Sequence, residues 1–575
     1  MSETSLVKKD LLSQLLYEAE AYRKFEDIER LVEGGLDLSV LPIQPLYVAL
    51  QTTSSDQIAQ ILPKLSGEQR QALRDIDLWD KDELDTKAAM HWLEIYSKCP
   101  SDDVKFEYAR SEDFLLSVKN QMTVQTFDVE DPLYPDNDNY FLTEDNLLLI
   151  EYPEDFTLVQ ELKDMVKLLY SGMGVEYAYT FLFKMIVDSY QIMEENNYNE
   201  KVERLRDFGF VDHFQALEYD APFFQLEQLD NFIQNKKTAT GTISSTASFQ
   251  SLHASSLTSY QAGMDKIKEA LAKVQDEKRQ QYLHFNFIRL VNAQMTLRGA
   301  LKGGSVAMAK VGNRTKQNLD LGFDYVLSKL SKEEGEQIFS RFDFLDLFKI
   351  GQSLIEISKK KVKVALSKTP FDSHDLSYFL GMYWNSLLEN SEEETAKFKF
   401  DGSSKASEID NLEVYRLWNS SLDTLISAFP YVQMFFKSLE KLKADNLLND
   451  EFYLNYEVDN IDFEAIMISS FINFVGEHYQ ENVAGKMGVT ISELKDFYHK
   501  YFNKNGNEYL IKGEEDLILR EKISLFVEKF GLALIPHFDK YLYQILLEQM
   551  NGYEIDSMDT EEFRHIGGPI LLNSK

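Results

Sequence analysis

The segment best suited to chemistry is Arg298-Gly-Ala-Leu-Lys302-Gly303-Gly304-Ser305, followed by Lys310, Arg314 and Lys316. Glycines beside a helix start can aim backbone N–H groups at an anion, and the surrounding cations would hold a phosphate. The lysine precedes the glycines, so this is not a P-loop. A competing reading has Gly303-Gly304 end one helix and start the next, with the cations pairing against acidic segments elsewhere. Both readings stay open from the sequence.

Other motifs fail on spacing. Gly172-Met-Gly174 starts a dinucleotide fingerprint, but Tyr177 holds the third glycine position and no β-branched strand precedes it, so a helix-linking turn is expected. Gly351-Gln-Ser353-Leu-Ile355 lacks the closing glycine of a nucleophile elbow, and Ser353 reads as a small buried residue where helices cross. His91-x-x-Glu94 and Glu562-x-x-His565 are single pairs, short of a di-iron set, and one cysteine cannot build a structural zinc site. Asp136-Asn-Asp138 opens like a calcium loop, yet Phe141 stands where the glycine belongs. The sequence therefore assigns no catalytic residue, no metal and no cofactor.

Charge is segregated along the 575 residues, whose net is −35. Residues 1–235 carry a net of −27 and residues 372–575 a net of −18, whereas Lys278–Leu319 contains eight Lys/Arg and no acid. Two acidic arms flank a basic centre, which bears on partners and internal docking rather than on fold. A strongly negative chain repels nucleic acid outside that strip, so a nucleic-acid partner is disfavoured. The single cysteine, Cys99, favours a reducing compartment, and residues 1–10 lack the apolar run of a secretory signal. No apolar stretch approaches the roughly 20 residues of a membrane span. A cytoplasmic protein without membrane insertion is the expectation.

The elements that must position any site are mainly helices. Residues 1–120 read as short stacked helices, with Ser66 and Gln69 spaced as a capping box. Residues 121–235 change period at Met122–Tyr152, where a three-stranded antiparallel meander is the only β structure expected, then return to helices. Residues 236–262 read as a flexible linker, since twelve of the 22 residues Thr238–Ser259 are Ser or Thr. Residues 263–371 form a basic helical region led by a long heptad-like helix, Met264–Met295, and residues 372–575 an acidic helical domain. Further helices are expected at Gln337–Val364 and Glu515–Met550, the second broken by Pro536. The fold class is thus mainly α, a multi-domain bundle or stacked-helix architecture with one small meander.

Four stretches together resemble a family of long bacterial proteins of unknown function. They are Asp77-Leu-Trp79-Asp80-Lys-Asp82 before Ala88-Ala-Met-His-Trp92-Leu93; Phe208-Gly-Phe-Val-Asp212 before Gln215-Ala-Leu-Glu218; Leu347-Phe-Lys-Ile-Gly351; and Arg564-His-Ile-Gly-Gly568. That family brings no activity, so the resemblance implies no catalytic residue. Leu41–Leu73 is loosely similar to the stacked-helix cytosolic domain of magnesium transporters, without the membrane segment that transport would need. The expected role is a non-catalytic interaction or scaffold protein with protein partners. The alternatives are a regulatory protein holding a phosphorylated small molecule at 298–316, and an enzyme with a carboxylate site that spacing does not reveal.

Overall fold

The computed structural model describes residues 35–238 apart from 36, 41, 42 and 52, then 265–393, 395–399, 406–477, 488–505, 508–550, 555, 568 and 570–573. The expected helices before residue 35, the body of the Ser/Thr-rich linker and the Glu562/His565 pair lie outside the described residues. The chain is mainly α with small antiparallel strand pairs. No helix among the described residues is long and apolar enough to cross a membrane.

The chain packs as two compact units, each assembled from separated stretches. One combines Met1–Ala221, Ala239–Lys316 and Lys332–Asp346. Its short helices are closed by their own caps. Ser66 Oγ accepts from Gln69 N at 3.1 Å while Gln69 Oε1 accepts from Ser66 N at 3.0 Å, so the predicted capping box forms. In the meander, Leu148–Glu151 lies between Thr123–Thr126 and Tyr140–Leu142, with Ile150 opposite both Val124 and Phe141. Leu148, Leu149 and Ile150 are fully buried, so the central strand is sandwiched rather than half-exposed.

Two expectations need correction here. Met264–Met295 is not one helix: Asp265–Leu271 ends and Glu277–Leu297 restarts. Asp276 causes the restart, its Oδ1 accepting from Lys278 N at 2.9 Å and Arg279 N at 3.4 Å, which a continuous helix would not allow. The meander is also not the only β structure. Trp79–Asp80 pairs with Glu83–Leu84 around Lys81, whose φ is 60°. Two-residue strands are too short to display a period of two, so periodicity could not find them.

The other unit combines Pro222–Thr238, Gln317–Ser331 and Leu347–Lys575. It adds strand pairs at Lys397–Phe398 with Ser407–Glu408 and at Phe502–Asn505 with Glu508–Ile511. The stretch expected as one helix over Gln337–Val364 restarts at Phe344, where Asp343 Oδ1 accepts from Asp346 N at 3.0 Å. The helix Gly513–Lys529 is separated from Phe538–Gln549 by Gly531 at φ 70°, Pro536 and His537 at φ 57°, the break that Pro536 predicts.

Ser353 is fully buried at a helix crossing, as its size suggested. The crossing is made by two glycines. A Cβ on Gly322 would lie 1.9 Å from Leu347 O, and one on Gly351 would lie 1.9 Å from Asn318 O. Both obstacles are backbone, so only separation of the helices relieves them. Gly351→Ala is expected to destabilise this unit by about 2–3 kcal/mol, the overpacking cost outweighing the roughly 1 kcal/mol that alanine gains in helix propensity. Gly513→Ala, at a helix start with nothing within 4 Å, is the control and should be neutral or stabilising in urea unfolding.

Candidate functional site

In the first unit the helix Tyr190–Asp207 lays Lys201 against the Trp79–Leu84 hairpin. The Lys201 ammonium sits 5.0 Å from the Trp79 ring centroid and 4.7 Å from that of Tyr198. These two rings meet edge to face at 5.5 Å. An ammonium over aromatic faces is held by the ring quadrupoles, which leave its three N–H donors unused. Among the described residues Lys201 makes no ion pair and donates no hydrogen bond. Burial pushes its pKa down to about 8, Lys302 adds to that, and the fields of Asp75, Asp212 and Asp82 oppose it.

Lys201 and Trp79 line a cavity of about 220 Å³, with Asp75, Asp212, His213 and Lys302 also on its wall. Trp79 is 4% exposed, and its indole N–H has no hydrogen-bond partner among the described residues. Phe210, Val211, Leu205 and Met295 supply the apolar part of the wall. Two of the stretches that carry the family resemblance, Asp77–Asp82 and Phe208–Asp212, therefore end at one cavity.

Two of the acids on its wall, Asp75 and Asp212, are already engaged. Asp75 is completely buried and accepts a two-pronged contact from Arg204, Nε at 2.9 Å and Nη2 at 2.9 Å. Gln71 Nε2 joins Asp75 at 3.0 Å to Asp113 at 2.9 Å, and Arg74 Nε donates to Asp113 at 2.9 Å. Burial lifts Asp75 above the usual carboxylate range despite Arg204. Burial also opposes charge on Asp113, but Arg74 outweighs it and holds that carboxyl low. Asp212 caps the helix His213–Asp220, its Oδ1 accepting from Phe214 N at 2.9 Å and Gln215 N at 3.2 Å. Asp80 also lines the cavity and its carboxylate has no hydrogen-bond or ion-pair partner among the described residues, so the wall offers one uncommitted acid beside the Lys201 ammonium.

The predicted anion segment is only partly gathered here. Lys302 lines the cavity, yet its Nζ donates to Asp77 O at 3.0 Å and Trp79 O at 3.2 Å, closing the C-terminal end of the helix Gly67–Asp77. Arg298 and Arg314 both turn to Asp220, at 3.7 and 3.4 Å, and Arg314 also donates to Gln294 Oε1 at 2.9 Å. Gly303 and Gly304 form the turn that opens the helix Gly304–Lys329, with φ 76° at Gly304. The Ser305 side chain is outside the description, Lys310 is exposed and Lys316 half-buried. The residues that sequence missed are Lys201, Trp79, Asp75, Asp212 and His213. Among the described residues no group of three or more His, Cys, Asp or Glu could hold a metal ion.

Comparison with curated proteins and with solved structures finds no match. A family profile described as a family of unknown function, DUF6178, matches residues 25–408, about two thirds of the chain and every residue named on the cavity wall. The chain therefore belongs to the DUF6178 family of unknown function.

Proposed function

We propose that this is a cytoplasmic protein that binds a small anionic metabolite, a carboxylate or phosphate ester, in the cavity of its first unit. The observation that carries the reading is Lys201, a desolvated ammonium on the cavity wall with no counter-ion among the described residues. Lys201 is half-buried, and a partly desolvated charge left unpaired carries a cost that an incoming anion offsets. A volume of about 220 Å³ is below the roughly 300–1,000 Å³ of drug-sized ligand sites, which favours a metabolite-sized molecule over a polymer or nucleotide. This moves the expected anion site from the Gly303-Gly304 turn to the neighbouring wall, and Lys302 is common to both.

The test is thermal unfolding in the presence of inorganic phosphate, lactate and succinate, each varied in concentration. At least one should raise the Tm in proportion to ln(1 + [L]/Kd), and Lys201→Met should fold normally and lose the response. No shift with any of them, or an equal shift in the variant, overturns the reading. The pH dependence has a definite sign. With lactate, whose carboxylate stays ionised across this range, the anion favours protonated Lys201, so affinity should be flat between about pH 6 and 8 and fall about tenfold per pH unit above it.

A further inference from the structure

Lys201 invites a sharper chemical reading, which rests on the proposal that the cavity takes a small anion. We infer that Lys201 is an imine-forming nucleophile and that the ligand class is a small oxo acid, a ketone or aldehyde carrying a carboxylate. Three observations converge on it. The amine belongs to a residue that lines the cavity. No carboxylate stands within ion-pair distance to lock it as an ammonium. A second cation, Lys302, is on the same wall; with two N–H groups held by Asp77 O and Trp79 O it keeps one for the carboxylate of the ligand. With burial bringing the amine down to about 8, its free-base fraction at neutral pH exceeds that of an ordinary lysine by on the order of 100-fold.

The step balances without an oxidant or reductant. The nitrogen lone pair attacks the carbonyl carbon, a C–N bond forms, and the C=O π electrons move to oxygen. One proton passes from nitrogen to that oxygen to give a carbinolamine. A second proton, taken up from water, makes the hydroxyl a leaving water as the C=N bond closes to an iminium, and the iminium nitrogen then returns a proton to water, so amine plus carbonyl gives imine plus water. His213 lines the same cavity.

The experiment uses the full chain with pyruvate as the carbonyl probe and lactate as its hydroxy counterpart, which cannot form an imine. Pyruvate with cyanoborohydride, followed by peptide mass spectrometry, should place the reduced adduct on Lys201 in at least tenfold excess over any other lysine, a conservative share of the free-base advantage. Lys201→Arg keeps a cation and should still respond to lactate in thermal unfolding, while its remaining lysines label only at the background level. A lactate shift in the wild type without preferential labelling of Lys201 overturns the imine inference and leaves the anion site intact. Absence of both the lactate shift and the adduct overturns the two together. Preferential labelling of a different lysine also overturns the inference.

Discussion

Replacing Arg74 by methionine is expected to destabilise the first unit by about 3–5 kcal/mol, the usual cost of stranding one partner of a buried ion pair. Arg74 is 1% exposed and stacks its guanidinium over Tyr96 and Tyr108, at 5.3 and 5.5 Å from their ring centroids. It also donates to the Tyr96 hydroxyl and to Gln71 Oε1. Its loss leaves the Asp113 carboxylate buried with only Gln71 as a direct side-chain donor. The double change Arg74→Met with Asp113→Leu removes both charges and should recover most of the loss. Hydrogen exchange in the helix Gly67–Asp77 isolates this unit, which global melting of a two-unit chain does not. A single variant within about 0.5 kcal/mol of wild type would show the network to be ornamental, as neutral surface substitutions are.

Glu464 sets the second large effect, in the other unit and through pH. It is 2% exposed, accepts from Tyr383 N at 2.7 Å and meets Gln549 Nε2 at 3.3 Å. A Cβ on Gly381, at φ 90°, would lie 2.4 Å from its carboxyl carbon, so glycine is what lets the side chain in. Burial, reinforced by the Asp462 carboxylate, raises the Glu464 pKa to about 8 from an ordinary 4.5. The folded state then holds a proton that the unfolded state releases. This contribution to stability is complete below about pH 4.5, declines as pH rises, and is gone above about 8. Glu464→Gln is neutral at every pH and keeps an acceptor for Tyr383 N, while Gln549 turns its amide to accept. Its stability relative to wild type should start near zero at pH 4.5 and grow to about 3–5 kcal/mol by pH 8. A difference that does not change between those limits would place the Glu464 proton elsewhere.

Much of the architecture could be read from residue patterns. The meander, the capping box at Ser66, the break at Pro536 and the crossing at Ser353 each follow from local rules acting on neighbours in the chain. The continuous helix over Met264–Met295 failed because Asp276 competes for backbone donors, and a heptad stripe does not register one cap. The site was harder to read for a different reason. Lys201 lies in a helix with Glu194, Glu195, Glu200 and Glu203, a composition that reads as a solvated face. Only tertiary packing brings Trp79 onto it from more than a hundred residues away. Arg298 and Arg314 likewise found Asp220 in the acidic arm upstream, a pairing that the charge segregation foreshadowed but no spacing specified.

One Trp and one Tyr could have signalled the cavity. Tyr198 stands three residues before Lys201, on the same helical face, and Trp79 belongs to a stretch already singled out by resemblance. Their joint effect on an amine is what composition cannot express, because the lowered pKa arises from burial and not from any charged neighbour nearby in sequence.

The central claim is that Lys201 is the uncompensated cation of a small-anion site, and its own titration tests this most directly. In the full chain carrying carbon-13-labelled lysine, with Lys201→Arg to assign the resonance, the ε-carbon shift should titrate near 8 in the absence of added anion. Saturating the anion that raises the Tm should move that midpoint upward by about one unit or more, the linkage counterpart of a tenfold preference for the protonated amine. A Lys201 that titrates with the ordinary lysines, or whose midpoint is indifferent to every anion that binds, would contradict the account.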